Sequence, residues 1–245
     1  MARSASPFLS RGLPAPRCLR CRVIASHCLC DLRPQVPTNA GMCLIMGDIE
    51  ALKPTNTGWL IADIVQDTFA FGWARTEVDP ALLTLLADPQ WDTYVVFPGE
   101  FVAAERVVTS VQVHADKRPL FILFDGTWAE ACKMSRKSPY LNHLPVLSLH
   151  PGQRSRYRLR RAKRDDHLCT AEVGAMCLAL AGEQRAADTL ETYLDVFTNH
   201  YLSAKQSVPP DREDAAHQHL RALVGTGPSE RCTMGAPYGY RSPGR

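Results

Sequence analysis

Four cysteines, Cys18, Cys21, Cys28 and Cys30, fall in the spacing C-x2-C-x6-C-x-C. Two close pairs separated by a short loop let four thiolates converge on one tetrahedral ion, for which zinc is the expected guest. The second pair is tighter than the common C-x2-C, and His27 stands in the loop as an alternative ligand. A redox C-x-x-C opens a helix after a strand. Basic, irregular sequence surrounds this one, so structural zinc is favoured over thiol exchange, with reduced loop thiols as the plain alternative. Four protein ligands leave no open position, and the metal is given no part in chemistry.

A second concentration lies in "PLFILFDGTWAEACKMSRK", Pro119 to Lys137. An apolar run ends at Phe124 and meets Asp125, Gly126, Thr127 and Trp128. Thr127 is placed to cap a following helix. A carboxylate beside an indole suits a base that accepts a proton from a flat ring, and the expectation is that Asp125 faces an occupied cleft. The alternative is a helix cap with Trp128 packed on a sheet. "YVVFPGEF" likewise ends an apolar run with Pro98, Gly99 and Glu100. Ligands of open α/β sheets gather beyond the carboxyl ends of strands. If these two ends are neighbours, they form two walls of one pocket, and Gly99 and Gly126 let backbone approach a ligand. In "KPTNTGWL", Asn56 and Thr57 either cap the helix that follows or leave its free N–H groups to hold an anion.

The run Arg154 to Arg164, "RSRYRLRRAKR", holds seven basic residues in eleven. If extended, it presents Arg154, Arg156, Arg158 and Arg160 on one face and Arg161 with Tyr157 on the other. Phosphate binding explains such a face better than a charged edge strand does, with Tyr157 as a stacking surface. Lys133, Arg136 and Lys137 add charge after Asp125.

These residues need a scaffold. Short apolar runs at Met42–Met46, Ala70–Trp73, Tyr94–Pro98, Leu120–Phe124 and Val146–Leu149 suit buried strands. Helical stretches alternate with them at Thr57–Val65, Pro80–Ala87 and Trp128–Arg136, followed by Thr170–Leu180 and Ala187–Ala204. The alternation predicts an α/β fold with a mostly parallel sheet. The expected divisions are a flexible start over 1–16, a metal knuckle over 17–34, a main domain over 35–205, a short terminal helix over 206–226 and a disordered tail over 227–245.

The chain has 245 residues, of which 45% are hydrophobic, enough for one substantial core. A formal charge of +3 is too small to argue for a polyanionic partner unless the charge is concentrated. No apolar run approaches the length that crosses a bilayer, and no signal-peptide pattern opens the chain, so no membrane partner and a cytoplasmic location are expected. Nine cysteines then read as thiols, thiolates or buried apolar groups. Cys43, Cys132, Cys169, Cys177 and Cys232 lack ligand spacing and are expected in or near the core.

Taken together, the blocks resemble a family. Asp125-Gly126-Thr127-Trp128 looks like the signature of the DTW-domain tRNA-uridine aminocarboxypropyltransferases. Asn56-Thr57-Gly58, Pro98-Gly99-Glu100, Ser138-Pro139-Tyr140-Leu141, Tyr157-Arg158-Leu159-Arg160 and Thr170-Ala171-Glu172 follow the family's order, and the cysteine cluster is similar to its N-terminal motif. The resemblance covers about Arg17 to Leu202. It implies a SPOUT-like fold, knotted near the C-terminal half. It also implies transfer of a 3-amino-3-carboxypropyl group from S-adenosylmethionine to N3 of a tRNA uridine, in the variable loop, giving 3-(3-amino-3-carboxypropyl)uridine. On this basis Asp125, Thr127 and Trp128 are the expected catalytic residues. Pro98, Gly99, Glu100, Phe124, Gly126, Thr170 and Glu172 are expected at the cofactor, and Lys133, Arg136, Arg156, Tyr157, Arg158, Arg160 and Arg161 at tRNA. The alternatives are a zinc-containing RNA-binding protein without activity, or a methyl or aminocarboxypropyl transferase acting on ribosomal RNA. One departure is Gly47, where many relatives carry a His or an aromatic residue ahead of an Asp-x-Glu-like element.

Overall fold

The computed structural model describes residues 16–112, 114–149, 155–159 and 168–224. Six strands form one sheet: β1 (Gly41–Met46), β2 (Thr68–Gly72), β3 (Trp91–Val96), β4 (Val107–Val108), β5 (Arg118–Asp125) and β6 (Val146–Leu147). Their order is β2-β1-β5-β3-β6-β4, and every pairing is parallel. The helices are α1 (Gly58–Ile64), α2 (Pro80–Ala87), α3 (Trp128–Arg136), α4 (Thr170–Leu180), α5 (Gln184–Gln206) and α6 (Ala215–Val224).

All six residues of β1 are buried, as expected for an inner strand of a parallel sheet covered on both sides. Side chains alternate across it. Met42, Leu44 and Met46 join Phe121, Leu123, Tyr94 and Val96 against α1, α4 and α5. Cys43 and Ile45 join Val95, Leu120 and Ile122 against α2 and α3. The predicted strands are present with shifted ends, most at β3, which begins at Trp91. Strand β4 is the addition: two residues carry no readable period. Helices α2, α3 and α4 start and stop at the predicted residues, whereas α5 extends over 23 residues from Gln184.

The amino-terminal knuckle closes with an antiparallel bridge between Arg17 and Ile24 and a short turn of helix at Ala25–His27 that packs on α5. His200 Nδ1 of α5 donates to the His27 carbonyl at 2.8 Å, and His27 Nε2 donates to the Val208 carbonyl at 2.7 Å. The connection from β6 to α4, in the C-terminal half near which the resemblance implies a knot, lies largely outside the described residues. No described helix is long and apolar enough to cross a membrane.

Candidate active site

A sheet with all strands parallel brings every strand's carboxyl end to one edge. Strand β5 lies between β1 and β3, with Met46 opposite Asp125 and Val95 opposite Ile122. The loops carrying Gly47, Pro98 to Glu100 and Asp125 to Trp128 are therefore neighbours, as the two-wall expectation requires. Gly47 N–H donates to the Asp125 carbonyl at 3.0 Å. A side chain at position 47 would come within 3.4 Å of the Glu130 carboxylate.

Asp125, the residue expected to face an occupied cleft, is 1% exposed. Asn56 Nδ2 donates to its Oδ2 at 2.6 Å, and Thr170 Oγ1 donates to its Oδ1 at 2.6 Å. The carboxylate thus ties β5 to the turn before α1 and to the start of α4. Asn56 is fully buried, its Nδ2 also lies 3.5 Å from Glu50 Oε1, and Glu50 pairs with Lys53. Asn56 Oδ1 is buried and has no partner among the described residues. The capping expectation for this turn is corrected. Thr57 stands at the cap position of α1 but makes no side-chain bond to it; its hydroxyl accepts the Ala171 N–H of α4 at 3.3 Å. Gly58 is required by close approach, since a Cβ there would lie 2.9 Å from Asp125 Oδ2.

Thr127 does cap α3. Glu130 N donates to its hydroxyl at 3.3 Å, and Glu130 Oε2 takes its N–H at 2.7 Å and its O–H at 2.6 Å, a capping box. Its hydroxyl therefore belongs to the helix rather than to Asp125. Trp128 follows, 38% exposed, with its indole stacked on Phe97 at 5.5 Å and 8° between planes. Phe101 meets the indole edge-on at 5.5 Å and 66° and is 51% exposed. Phe124 packs edge-on against the same Phe97 at 5.8 Å. The β3 and β5 loops are thus joined by an aromatic corner with an open indole. Phe101 carries no motif signal, and only its place after Pro98-Gly99-Glu100 could have drawn attention to it. Gly99 donates its N–H to Ser148 Oγ at 3.0 Å, and a Cβ on it would meet Val107 at 3.0 Å, so its smallness serves the β4 and β6 ends. Glu100 is exposed beside it, and Gly126 is hemmed in by Glu130 and Met134.

Glu172 is 7% exposed and accepts from Ser155 Oγ at 2.7 Å, Arg156 N at 2.6 Å and Cys169 N at 2.7 Å. It caps α4 and pins the start of the basic segment. That segment is not a strand where it is described. Tyr157 is 7% exposed and its hydroxyl donates to the Thr55 carbonyl at 2.6 Å, so its ring is core rather than a stacking surface. Arg156 pairs with Glu191 and Asp195, and Arg158 with Asn199, all on α5. Both guanidinium-bearing residues remain exposed. Arg160 and Arg161 lie outside the described residues. On α3, Lys133 lies over the Trp73 ring at 5.4 Å, and Arg136 Nε donates to the Cys132 carbonyl at 3.1 Å.

The sulfurs of Cys18, Cys21, Cys28 and Cys30 lie within 4.8 Å of one another. Cys18 to Cys30 is 3.6 Å and Cys21 to Cys28 is 3.7 Å. Zinc–sulfur bonds of about 2.3 Å give tetrahedral edges of about 3.8 Å, so the four residues fit one such ion. Hydrogen bonds from Cys28 and then Cys30 draw the Cys21 thiol down to about 4, and the same hydrogen bonds push the Cys30 thiol up, so the four sulfurs share protons when no ion is bound. His27 is not part of the set, because Ser26 and Val208 hold its two nitrogens. Cys43 and Cys177 are fully buried, and burial pushes both thiols up. Burial likewise raises the half-buried Cys169 to about 12. Cys232 lies outside the described residues.

No solved structure matches the chain. The family model of the DTW domain matches residues 15–202, taking in the cysteine cluster and all the blocks that meet at the carboxyl edge. The chain belongs to the DTW-domain family.

Proposed function

We propose that the protein transfers a 3-amino-3-carboxypropyl group from S-adenosylmethionine to N3 of a tRNA uridine, in the variable loop, at the carboxyl edge of β1, β5 and β3. Membership in the DTW family is consistent with a tRNA-modifying activity. The observation that carries the finer reading is the convergence on Asp125 of Asn56 and Thr170, from two other signature blocks, next to the exposed indole of its own block.

Each group has a task in this reading. The donor supplies an electrophilic γ-carbon on its sulfonium. Uridine N3–H is weakly acidic and needs a proton acceptor before N3 attacks that carbon, the carbon–sulfur bond breaking as the neutral thioether 5′-methylthioadenosine leaves. Asp125 is that acceptor. Its Oδ1 is held by the half-buried Thr170 hydroxyl, a bond that a substrate N–H can replace, while Asn56 keeps Oδ2 in place. Asn56 Oδ1, which has no partner among the described residues, is the acceptor for an N–H of base or donor, since a buried amide oxygen without a donor costs about 1–3 kcal/mol. Trp128 and Phe101 hold a flat ring, Pro98 to Glu100, Gly126 and Phe124 border the donor, and the exposed arginines and Lys133 meet phosphate. The cysteines hold zinc structurally, and the knuckle extends the RNA-facing surface.

The test is incubation of the purified protein with S-adenosylmethionine and unmodified tRNA, followed by mass spectrometry of the nucleosides. A uridine carrying the added group supports the proposal. Methylated nucleosides, or RNA binding without consumption of the donor, would replace it with one of the alternatives.

A further inference from the structure

Arg22 directly follows Cys21 and has φ of 61°, one of two non-glycine residues with positive φ among those described. Glycine adopts that backbone without penalty, whereas a side chain there is strained. The turn is fixed on both sides, by Arg22 N–H to the Cys18 carbonyl and by Cys18 N–H to the Val23 carbonyl, each 2.9 Å. What the arginine offers in place of a glycine is its reach. Its guanidinium leaves the knuckle and lies over the Trp59 ring at 4.6 Å. Nη1 donates to the Lys53 carbonyl at 3.4 Å and Nη2 to the Asn56 carbonyl at 3.3 Å. Those carbonyls bracket the loop that carries Asn56, whose side chain holds Asp125 at 2.6 Å. A lysine could not fork to two carbonyls while stacking on an indole.

We propose that Arg22 is a positioning residue that couples the four-cysteine knuckle to the Asp125 site by fixing the loop from Lys53 to Asn56. The proposal rests on the reading of Asp125 as the centre of transfer, and it gives the knuckle a task beyond stability. The metal-bound turn sets the arginine, the arginine sets the Asn56 backbone, and the Asn56 amide then meets the carboxylate. Loss of the metal loosens the same loop from a distance, because the turn that aims Arg22 is closed through the Cys18 backbone and carries the Cys18 and Cys21 thiols.

The experiment compares the full chain with Arg22→Gly, which removes the strained φ with the side chain, and Arg22→Lys, which keeps charge alone. Metal content is read by atomic absorption, loop order by amide hydrogen exchange at residues 53–58, and transfer by kcat and KM separately. Arg22→Gly is expected to keep its metal and its overall melting temperature, to exchange about tenfold faster at residues 53–58, and to lose kcat more than KM. Arg22→Lys should fall between. Chelation of the native protein should accelerate the same amides, and chelation of Arg22→Gly should add little, since the link is already cut. Metal-loaded Arg22→Gly with native exchange at residues 53–58 would overturn the proposal. If the native protein transfers nothing to tRNA, the function proposed above fails, while the exchange comparison still decides the role of Arg22.

Discussion

The oxygens of Asp125 are held by side chains 69 and 45 residues away in sequence, so changes at this position disturb both packing and chemistry. Asp125→Ala leaves the buried Asn56 amide and the Thr170 hydroxyl without an acceptor, at about 1–3 kcal/mol each, and is expected to lower stability as well as abolish transfer. Asp125→Asn keeps the volume and is expected to remain folded while losing transfer by about a hundredfold or more. Urea unfolding beside single-turnover assays separates the two effects, and native turnover in Asp125→Asn would remove the carboxylate from the chemistry. Phe101 presents a different case, because half its ring is in solvent and little rests on it. Phe101→Ala should leave stability nearly unchanged and weaken tRNA binding by about 1–3 kcal/mol, the usual worth of one stacked base. Filter binding with native and substituted protein measures it; equal affinities would exclude a stacking role.

Among the elements, Glu172 joins three separate pieces: the start of α4, Ser155 and the Arg156 backbone. Glu172→Gln retains shape but replaces an acceptor with a donor, and should cost about 1–2 kcal/mol with faster amide exchange at residues 155–157. Unchanged exchange there would show that the segment is held by Tyr157 alone. The sequence pattern supplied the helices well, because α2, α3 and α4 carry both their period and their caps within themselves. Strand β4 and the pairing of Asn56 with Asp125 and Thr170 were not legible, since a two-residue strand has no alternation and hydrogen bonds between distant residues leave no spacing. The motif order placed those residues in one family, but not within bonding distance. Alternation in the basic run suggested a face of arginines, whereas the acidic side of α5 takes Arg156 and burial takes Tyr157, effects that only the packed helix produces.

For the molecule as a whole, α5 is the element on which α1, α4, α6 and the knuckle meet. His200 stands there fully buried, with its Nε2 3.0 Å from His217 Nε2. Burial lowers its affinity for a proton below the ordinary imidazole value of 6.5, outweighing the bond to the His27 carbonyl. A group whose folded value is depressed binds more protons in the unfolded chain, so stability falls as pH drops through that ordinary value. Melting temperature is therefore expected to decline between about pH 7 and 5, before most carboxylates titrate, and His200→Gln should reduce that decline. A native profile flat across this range would count against it.

The knuckle's backing comes from far downstream: His27 meets Val208, 181 residues later in the chain. On the ribosome the four thiols emerge well before α5 and wait until it has been translated before it can cover them. Capture of a metal during synthesis would shield those thiols from oxidation through that interval, and docking of α5 would then seat a preformed cluster. Metal supply during growth would thus govern the yield of folded protein more than its later persistence.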